Sequence, residues 1–585
     1  MDAPWKSAPQ YGPSSACEVA PHKALDPEVR SPHAARPYLV TGSDQFAAES
    51  DEVVRFTQLL AALPYDPETW LNRGNCLRLL GYPELALGDV YKARLLVEAG
   101  LSSSSSESHS QKELGNEVRK AFRKKTYELH TTDPAWVKFA DAVATPELLA
   151  LRVEEMLKRL ELQIWTELME GLMAANCCGD YVRMSREAVQ KFPDDAIFPS
   201  EVSNADSWYA QRENILKASM QSGEMDEEQM KVTLLNGGVY PTPYPFMEDD
   251  FLVRDEATFE GIEEDFRRVS TNCMVVRSTI RDTPAEDGGE PTTEADCIGV
   301  VATRDISAGE TVLVDTMSSG TVGVDADPDG CPTCCASPVR NFWNTCCPVL
   351  YCSQGCADIA IETFHNPICG KNFDYLYTAA RKATATSDLS IDSLLLMRVL
   401  ALCLEEGADH PLKSTLLVRL TPAYGFKEPK LIIFNFEDHI QTPISILQTL
   451  GINIFTNPLY DTWVLHTIKC RLQNNKHGQT LEDWPGTSIS GLYSMLNHCC
   501  TPNVDWRHDF GSSEVTMFAT RDCKKGEDLC ISYIGPQGNA MSVVDRRKKL
   551  MGWFGMPCRC MKCVEDAAVQ EQEELVATLA AQTLT

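Results

Sequence analysis

No stretch of this sequence runs for about eighteen apolar residues without charge, the length a helix needs to cross a bilayer. The opening residues Met1-Asp2-Ala3-Pro4-Trp5-Lys6 also lack the basic-then-apolar pattern of a secretory leader. Both absences argue against a helical membrane protein and point to a soluble intracellular one, in the nucleus, the cytoplasm or both. Positive charge is scarce as well: 53 Lys and Arg stand against 83 Asp and Glu, a formal charge of −30. Affinity for phosphate backbones comes from clustered Lys and Arg, so no direct nucleic-acid binding is expected. Basic protein partners suit the charge better, although an acidic surface also serves simply to keep a large protein soluble. Cysteine, by contrast, is abundant, at 23 residues in 585. In a long intracellular chain, clustered cysteines read as metal ligands sooner than as disulfides, and their spacing decides.

With 43% apolar and 23% charged residues, the chain has the composition of a folded soluble protein and length for roughly three or four domains. Residues 1–50, rich in Pro, Ala and Ser, read as a disordered tail. From 51 to 200 the pattern is helical: Trp70, Leu71, Leu77, Leu80, Leu85 and Ala93 recur at helical spacing, with Gly81-Tyr82-Pro83 as a break between two helices. This hairpin resembles one tetratricopeptide repeat, and Leu172 to Pro193 offers a second candidate in similar register. Ordinary amphipathic helix pairs without a peptide groove remain the alternative. A serine-rich run at 102–110 separates the two, and 201–290, with acidic clusters at 224–228, 248–250 and 263–265, reads as a solvated connector.

At Ile298 the texture turns to strand, through Ile298-Gly299-Val300-Val301-Ala302, a turn at Ser307-Ala308-Gly309-Glu310, and Thr311 to Val314. Two hundred residues later comes Asn497-His498-Cys499-Cys500-Thr501-Pro502-Asn503, followed by a second strand-and-turn run that ends at Ser532-Tyr533. These segments resemble the opening and closing halves of a SET domain. Two positions depart from that family's pattern: Cys297 stands where its first glycine falls, and Cys499 replaces a serine. The resemblance implies S-adenosylmethionine as cofactor, held by Gly299, Asn497 and His498, with Tyr533 at the methyl-transfer channel as both catalytic and cofactor-contacting residue. Methyl transfer needs an aligned neutral amine. A phenol can orient that amine, whereas a carboxylate would stabilise the ammonium and raise its pKa. Asn475, in Cys470 to Gly478, resembles a further cofactor contact of the family and reads equally well as a turn asparagine beside Gly478.

After Tyr533 the sequence closes with Cys558-x-Cys560-x-x-Cys563, three thiolates that leave a tetrahedral zinc one ligand short. In the resembled family the missing ligand is the cysteine matching Cys500, and the closed segment wraps over the cofactor channel, with Phe554 flanking it. A second cluster holds Cys331, Cys334, Cys335, Cys346, Cys347, Cys352, Cys356, His365 and Cys369. It resembles a MYND zinc finger, whose pattern implies one site at Cys331, Cys334, Cys352 and Cys356 and another at Cys346, His365 and Cys369. Trp343 stands where that finger has its remaining cysteine, so either Cys347 substitutes or the site is incomplete.

Together these features imply an α+β chain: a split, β-rich SET domain with an inserted zinc finger and a cysteine-rich post-SET segment, preceded by a tetratricopeptide-like helical region. The expected boundaries are SET N-terminal part 291–330, zinc finger 331–370, a mainly helical insertion 371–487, catalytic part 488–535, post-SET zinc segment 536–566 and a C-terminal tail 567–585. The implied activity is lysine methylation of a histone or another basic protein, with zinc as a structural ion and further protein partners met through the helices or the finger. The competing reading is a zinc-containing interaction scaffold that keeps the fold without turnover.

Overall fold

The computed structural model describes residues 43–102, 109–130, 146–223, 225–239, 244, 247, 251, 254–277, 298–322, 331–334, 342–343, 346–382, 388–421, 432–481, 484–508, 513–554 and 557–583. Cys297, Cys335, residues 1–42 of the N-terminal tail and most of the serine-rich run fall outside them. The described residues form two compact units. One draws on Ser15–Val239 and Ile432–His466, the other on Tyr240–Leu431 and Thr467–Thr585.

The first unit is built from antiparallel helix pairs. Helices Pro67–Leu79 and Pro83–Leu101 each begin on a proline, whose fixed φ suits the first helical turn and whose missing N–H is not needed there. Gly81, at φ 90°, makes the turn between them, a left-handed conformation that side chains resist. Leu87, Ala93, Leu96 and Val97 are fully buried against their neighbours. Helices Pro146–Ala174 and Cys178–Lys191 form a further pair, broken at Asn176 with φ 57°.

Residues from far along the chain complete this unit, which the sequence did not suggest. Strand Ile432–Phe434 pairs antiparallel with Gly237–Val239, and Phe436 N–H donates to the Asp180 carboxylate at 2.7 Å. Gly88 allows close approach there: a Cβ at that position would fall 2.2 Å from Thr462 Oγ1. Beneath this contact the Arg73 guanidinium grips Asp89 with bonds of 2.7 and 2.8 Å and reaches Asp461 at 2.9 Å, while Lys92 also pairs with Asp461. Burial opposes the charge on Asp461, but Arg73 and Lys92 together hold its carboxyl well below the usual carboxylate range.

The second unit carries the sheets. A five-stranded sheet runs in the order Val504–His508, Glu514–Ala519, Thr311–Val322, Trp484–Ser490 and His477–Leu481. Strand Ile298–Ala302 pairs antiparallel with Cys273–Arg277. Helix Asp388–Glu406 packs on the five-stranded sheet with Ile391, Leu394, Leu395 and Val399 buried, the face predicted from its apolar spacing.

Three segments depart from expectation. The acidic stretch 201–290 is not a bare connector, because helices Ile197–Gln221, Glu227–Leu235 and Glu256–Val269 occupy it. Two of its acids cap helices: Asp226 forms a capping box with Gln229, and the Asp255 side chain accepts from Thr258 N–H, while 263–265 lies within the last helix and 248–250 falls outside the described residues. Phe259, Ile262 and Phe266 then bury one helix face. At the chain's two ends, helix Asp44–Ala62 begins within the predicted N-terminal tail, capped by Ser43, and helix Met561–Thr583 runs through most of the predicted C-terminal one. Ala, Glu, Gln and Leu fill the latter and are strong helix formers.

Candidate active site

A two-residue parallel ladder sets the site, with Asn497–His498 paired to Cys530–Ile531. Asn503, the last residue of the Asn-His motif, clamps it: its buried amide donates to Asp528 O at 2.8 Å and accepts from Cys530 N–H at 2.8 Å. The ladder carries Tyr533 to His498, where the Tyr533 backbone N–H donates to Nδ1 at 3.0 Å and the rings lie 5.3 Å apart. Burial holds His498 down to about 4, so the ring is neutral and Nδ1 is an acceptor. Its Nε2 meets the Cys500 sulfur at 3.2 Å, which joins the tyrosine to a cysteine cluster through one imidazole. The Tyr533 hydroxyl donates to Leu496 O at 2.9 Å, and Asn497 Nδ2 donates to Ile298 O at 3.0 Å. The segment leading into the motif is fixed by Asp315, whose buried carboxylate accepts from the N–H groups of Leu492 and Tyr493 at 2.7 and 2.8 Å. Burial nonetheless pushes Asp315 up to about 6.

Beside this ladder lies a small, partly open cleft. Asn475, Asn497 and Tyr533 line it, together with Arg254, Asn474 and Trp553, and none of its described lining residues is acidic. Amides, hydroxyls, a guanidinium and an indole suit a ligand with a carboxylate, several hydrogen-bonding groups and an aromatic ring. S-adenosylmethionine has all three. The Asn475 side chain spends its hydrogen bonds on the wall, donating to Thr421 O and Arg471 O at 2.7 and 2.8 Å and accepting from Thr421 N–H at 3.1 Å. Gly299 is buried in its strand, one position beyond Ile298, which lines the cleft. Phe554 ends helix Val543–Phe554, and its side chain lies outside the described residues. Sequence reasoning missed Arg254, which sits in an acidic stretch with no motif around it. It also missed Trp553, although the adjacent Phe554 was singled out.

All twelve predicted metal ligands come together in three groups: Cys331, Cys334, Cys352 and Cys356; Cys346, Cys347, His365 and Cys369; and Cys500, Cys558, Cys560 and Cys563. Within each, the donor atoms lie within 4.8 Å of one another, and none is in a disulfide. A tetrahedral zinc with Zn–S of about 2.3 Å needs sulfurs about 3.8 Å apart. The sulfur pairs Cys334–Cys352, Cys352–Cys356 and Cys500–Cys563 stand at 3.4, 3.6 and 3.5 Å, so the donor sets fit that ion. Cys347 takes the place left by Trp343, with its sulfur 3.5 Å from His365 Nε2. Tyr351 OH lies 3.0 Å from His365 Nδ1 and so turns Nε2 toward the thiols. In the third group, buried Arg546 bridges the Cys563 sulfur at 3.5 Å and Asp566 at 2.6 Å.

Residues 381–534 match the SET domain family, a span that contains the Asn497-His498 pair and Tyr533. Similar proteins include histone-lysine N-methyltransferase SET5 of Yarrowia lipolytica, 35% identical over 82 residues, which are 14% of this chain and 17% of that protein. Protein-lysine N-methyltransferase SMYD4 of Homo sapiens is 33% identical over 81 residues, 14% of this chain and 10% of its own length. The SET domain and MYND-type zinc finger protein 6 of Schizosaccharomyces pombe is 23% identical over 282 residues, 47% of this chain and 51% of its own length. The chain carries a SET domain, and its relatives include proteins of the SET and MYND type. The matched segments thus span about half the length of these relatives or less. Asn497 and Tyr533 of the matched span line the cleft, Tyr533 also packs on the third cysteine cluster, and the two remaining clusters lie within the region that resembles a MYND finger. No helix among the described residues is long and apolar enough to cross a membrane.

Proposed function

We propose that the chain is an S-adenosylmethionine-dependent protein-lysine N-methyltransferase acting on histones or other basic proteins. The observation that carries this reading is the convergence of Asn497 and Tyr533, the latter bonded to His498, at a cleft whose described lining residues include no acid. When bound, S-adenosylmethionine supplies an electrophilic methyl carbon. The chain's own residues bind, orient and exclude water, because an in-line displacement by a neutral amine gains most from positioning. Arg254, Asn474 and Asn497 offer donors to the polar end of the cofactor, and Trp553 offers a flat apolar surface. With its proton held by Leu496 O, the Tyr533 hydroxyl keeps lone pairs to accept an amine N–H. No carboxylate among the described lining residues stands ready to stabilise the ammonium, so the lysine loses its proton more readily there.

Zinc in the three clusters holds the finger and the C-terminal segment in place. We read the paired helices of the first unit as a tetratricopeptide-like surface that, with the finger, meets protein partners in the nucleus or cytoplasm.

The deciding experiment incubates the purified chain with radiolabelled S-adenosylmethionine and histones or a cell extract, beside Tyr533→Phe and Asn497→Ala. Label on lysine that is lost in both variants supports the enzyme. Cofactor binding with no transfer to any protein would leave the scaffold reading in its place.

A further inference from the structure

The wall of the cleft contains a joint. Helix Thr462–Asn475 ends on Asn475 and strand His477–Leu481 starts two positions later, so Lys476 alone connects them. Both neighbours of Lys476 are committed. On one side the Asn475 amide clasps Thr421 at two points, donating to its O at 2.7 Å and accepting from its N–H at 3.1 Å, and Thr421, Asn474 and Asn475 all line the cleft. On the other side His477 Nε2 meets Ser490 Oγ at 3.1 Å, and its ring lies 4.4 Å from that of Tyr493, the residue before cleft-lining Ser494 and Met495. A shift of the joint therefore moves two parts of the wall at once.

The joint is held from far along the chain. The Lys476 N–H closes the helix by donating to Leu472 O at 2.8 Å, but its ammonium pairs with Asp392, 84 positions away, placing Nζ 2.7 and 2.8 Å from the two carboxylate oxygens. Asp392 belongs to helix Asp388–Glu406, which packs on the five-stranded sheet. The side chains of Lys476 and Asp392 are only 21% and 9% exposed. An ion pair on the open surface does little, whereas separating one this buried strands a charge away from water, so the pair fixes geometry.

We propose that Asp392 is a positioning residue for the methyl-donor site: by holding the Lys476 ammonium it sets the joint, and the joint sets Thr421, Asn474 and Asn475 against the donor. The inference rests on the reading of this cleft as the S-adenosylmethionine site. Asp392 is not among the described residues that line the cleft, so its influence passes through Lys476. It acts on donor binding first, because the Tyr533 hydroxyl is held separately by Leu496 O.

The test is titration calorimetry of the full-length protein with S-adenosylmethionine, which gives the dissociation constant and the number of competent sites separately. Asp392→Asn, Lys476→Met and the double variant should each raise the dissociation constant by roughly ten-fold at an unchanged number of sites, since all three sever the same pair. Lys476→Arg keeps a cation that can still pair with the carboxylate, and should stay within about three-fold of wild type. Glu405→Gln, on the same helix but bonded to Asn366 instead, should leave the affinity unchanged. Fewer competent sites at a wild-type dissociation constant would mean that the pair only supports the fold, and losses that add in the double variant would mean that Asp392 acts by another route. Either result overturns the proposal, as does wild-type affinity in both single variants. A wild-type protein that binds no donor would reject the functional reading itself, and this inference with it.

Discussion

The Tyr533 backbone amide donates to His498 Nδ1 at 3.0 Å, and the same imidazole turns its other nitrogen to the Cys500 sulfur at 3.2 Å. The tyrosine at the cleft and a candidate zinc ligand are thus held by one neutral ring. His498→Ala should lower methyl transfer and loosen the third cluster together. Tyr533→Phe, which deletes only the hydroxyl bonded to Leu496 O, should lower transfer by roughly 100-fold, the cost of a misplaced reacting group, with zinc content unchanged. Radiolabel incorporation beside metal analysis checks both, and zinc loss in Tyr533→Phe would refute the division of roles.

The second cluster depends on Tyr351 to orient His365. Removing the phenol in Tyr351→Phe leaves the ring without its partner, and outer partners of this kind are worth about 10- to 100-fold in metal affinity. Chelator competition should show one of about three zinc ions leaving early in the variant. Three ions titrating as in wild type would count against the arrangement.

Asp461 neutralises two buried cations, Arg73 and Lys92. Asp461→Asn leaves both in a desolvated interior, where removing one partner of a buried pair costs about 3–5 kcal/mol. Denaturant unfolding should show a loss of that order, and a loss under about 1 kcal/mol would mean that Asp89 alone suffices.

Acid should destabilise the second unit through its buried histidines. Burial, aided by His508, holds His477 down to about 3, and burial, with Lys413 and Arg471, holds His410 to about 4. Unfolded histidine takes up its proton near 6.5, so as pH falls from there toward 4 the unfolded chain binds protons that the native one refuses. Asp315 opposes them: its native carboxyl protonates near 6 and the unfolded one near 3.8, so it adds stability over that interval as pH falls. At about 1.4 kcal/mol per unit, His477 and His410 outweigh the one carboxyl by roughly 3–5 kcal/mol at about pH 4, and His498, held down to about 4 by burial, adds to the loss. Urea midpoints between pH 7 and 4.5 measure this, and His477→Gln, which cannot titrate, should flatten the slope. An unchanged slope in that variant would remove His477 from the account.

Short-range chemistry was legible in the sequence, and long-range docking was not. The Asn-His motif, the Ser-Tyr end and the cysteine spacings each carry their meaning within a few residues, whereas the resemblance to a MYND finger left open whether Cys347 substitutes at the second site or that site is incomplete. Residues 432–466 join the N-terminal helices through a missing side chain at Gly88 and a carboxylate between two cations. Neither leaves a periodic signal. The acidic stretch misled because charge counts do not separate a solvated linker from a helix cap, and Asp226 and Asp255 are caps. Arg254 reaches the cleft only through tertiary folding.

Cys500 and Cys563 are 63 positions apart yet share one cluster. On the ribosome, the third metal centre therefore cannot close until Cys563 has emerged, and the wall that bears Tyr533 waits with it. A product halted before Cys558 would carry the Asn-His pair but lack the clasp that secures the tyrosine. Nascent chains should accordingly gain donor binding late, in step with metal capture, so that zinc supply during translation sets how much of the protein becomes competent.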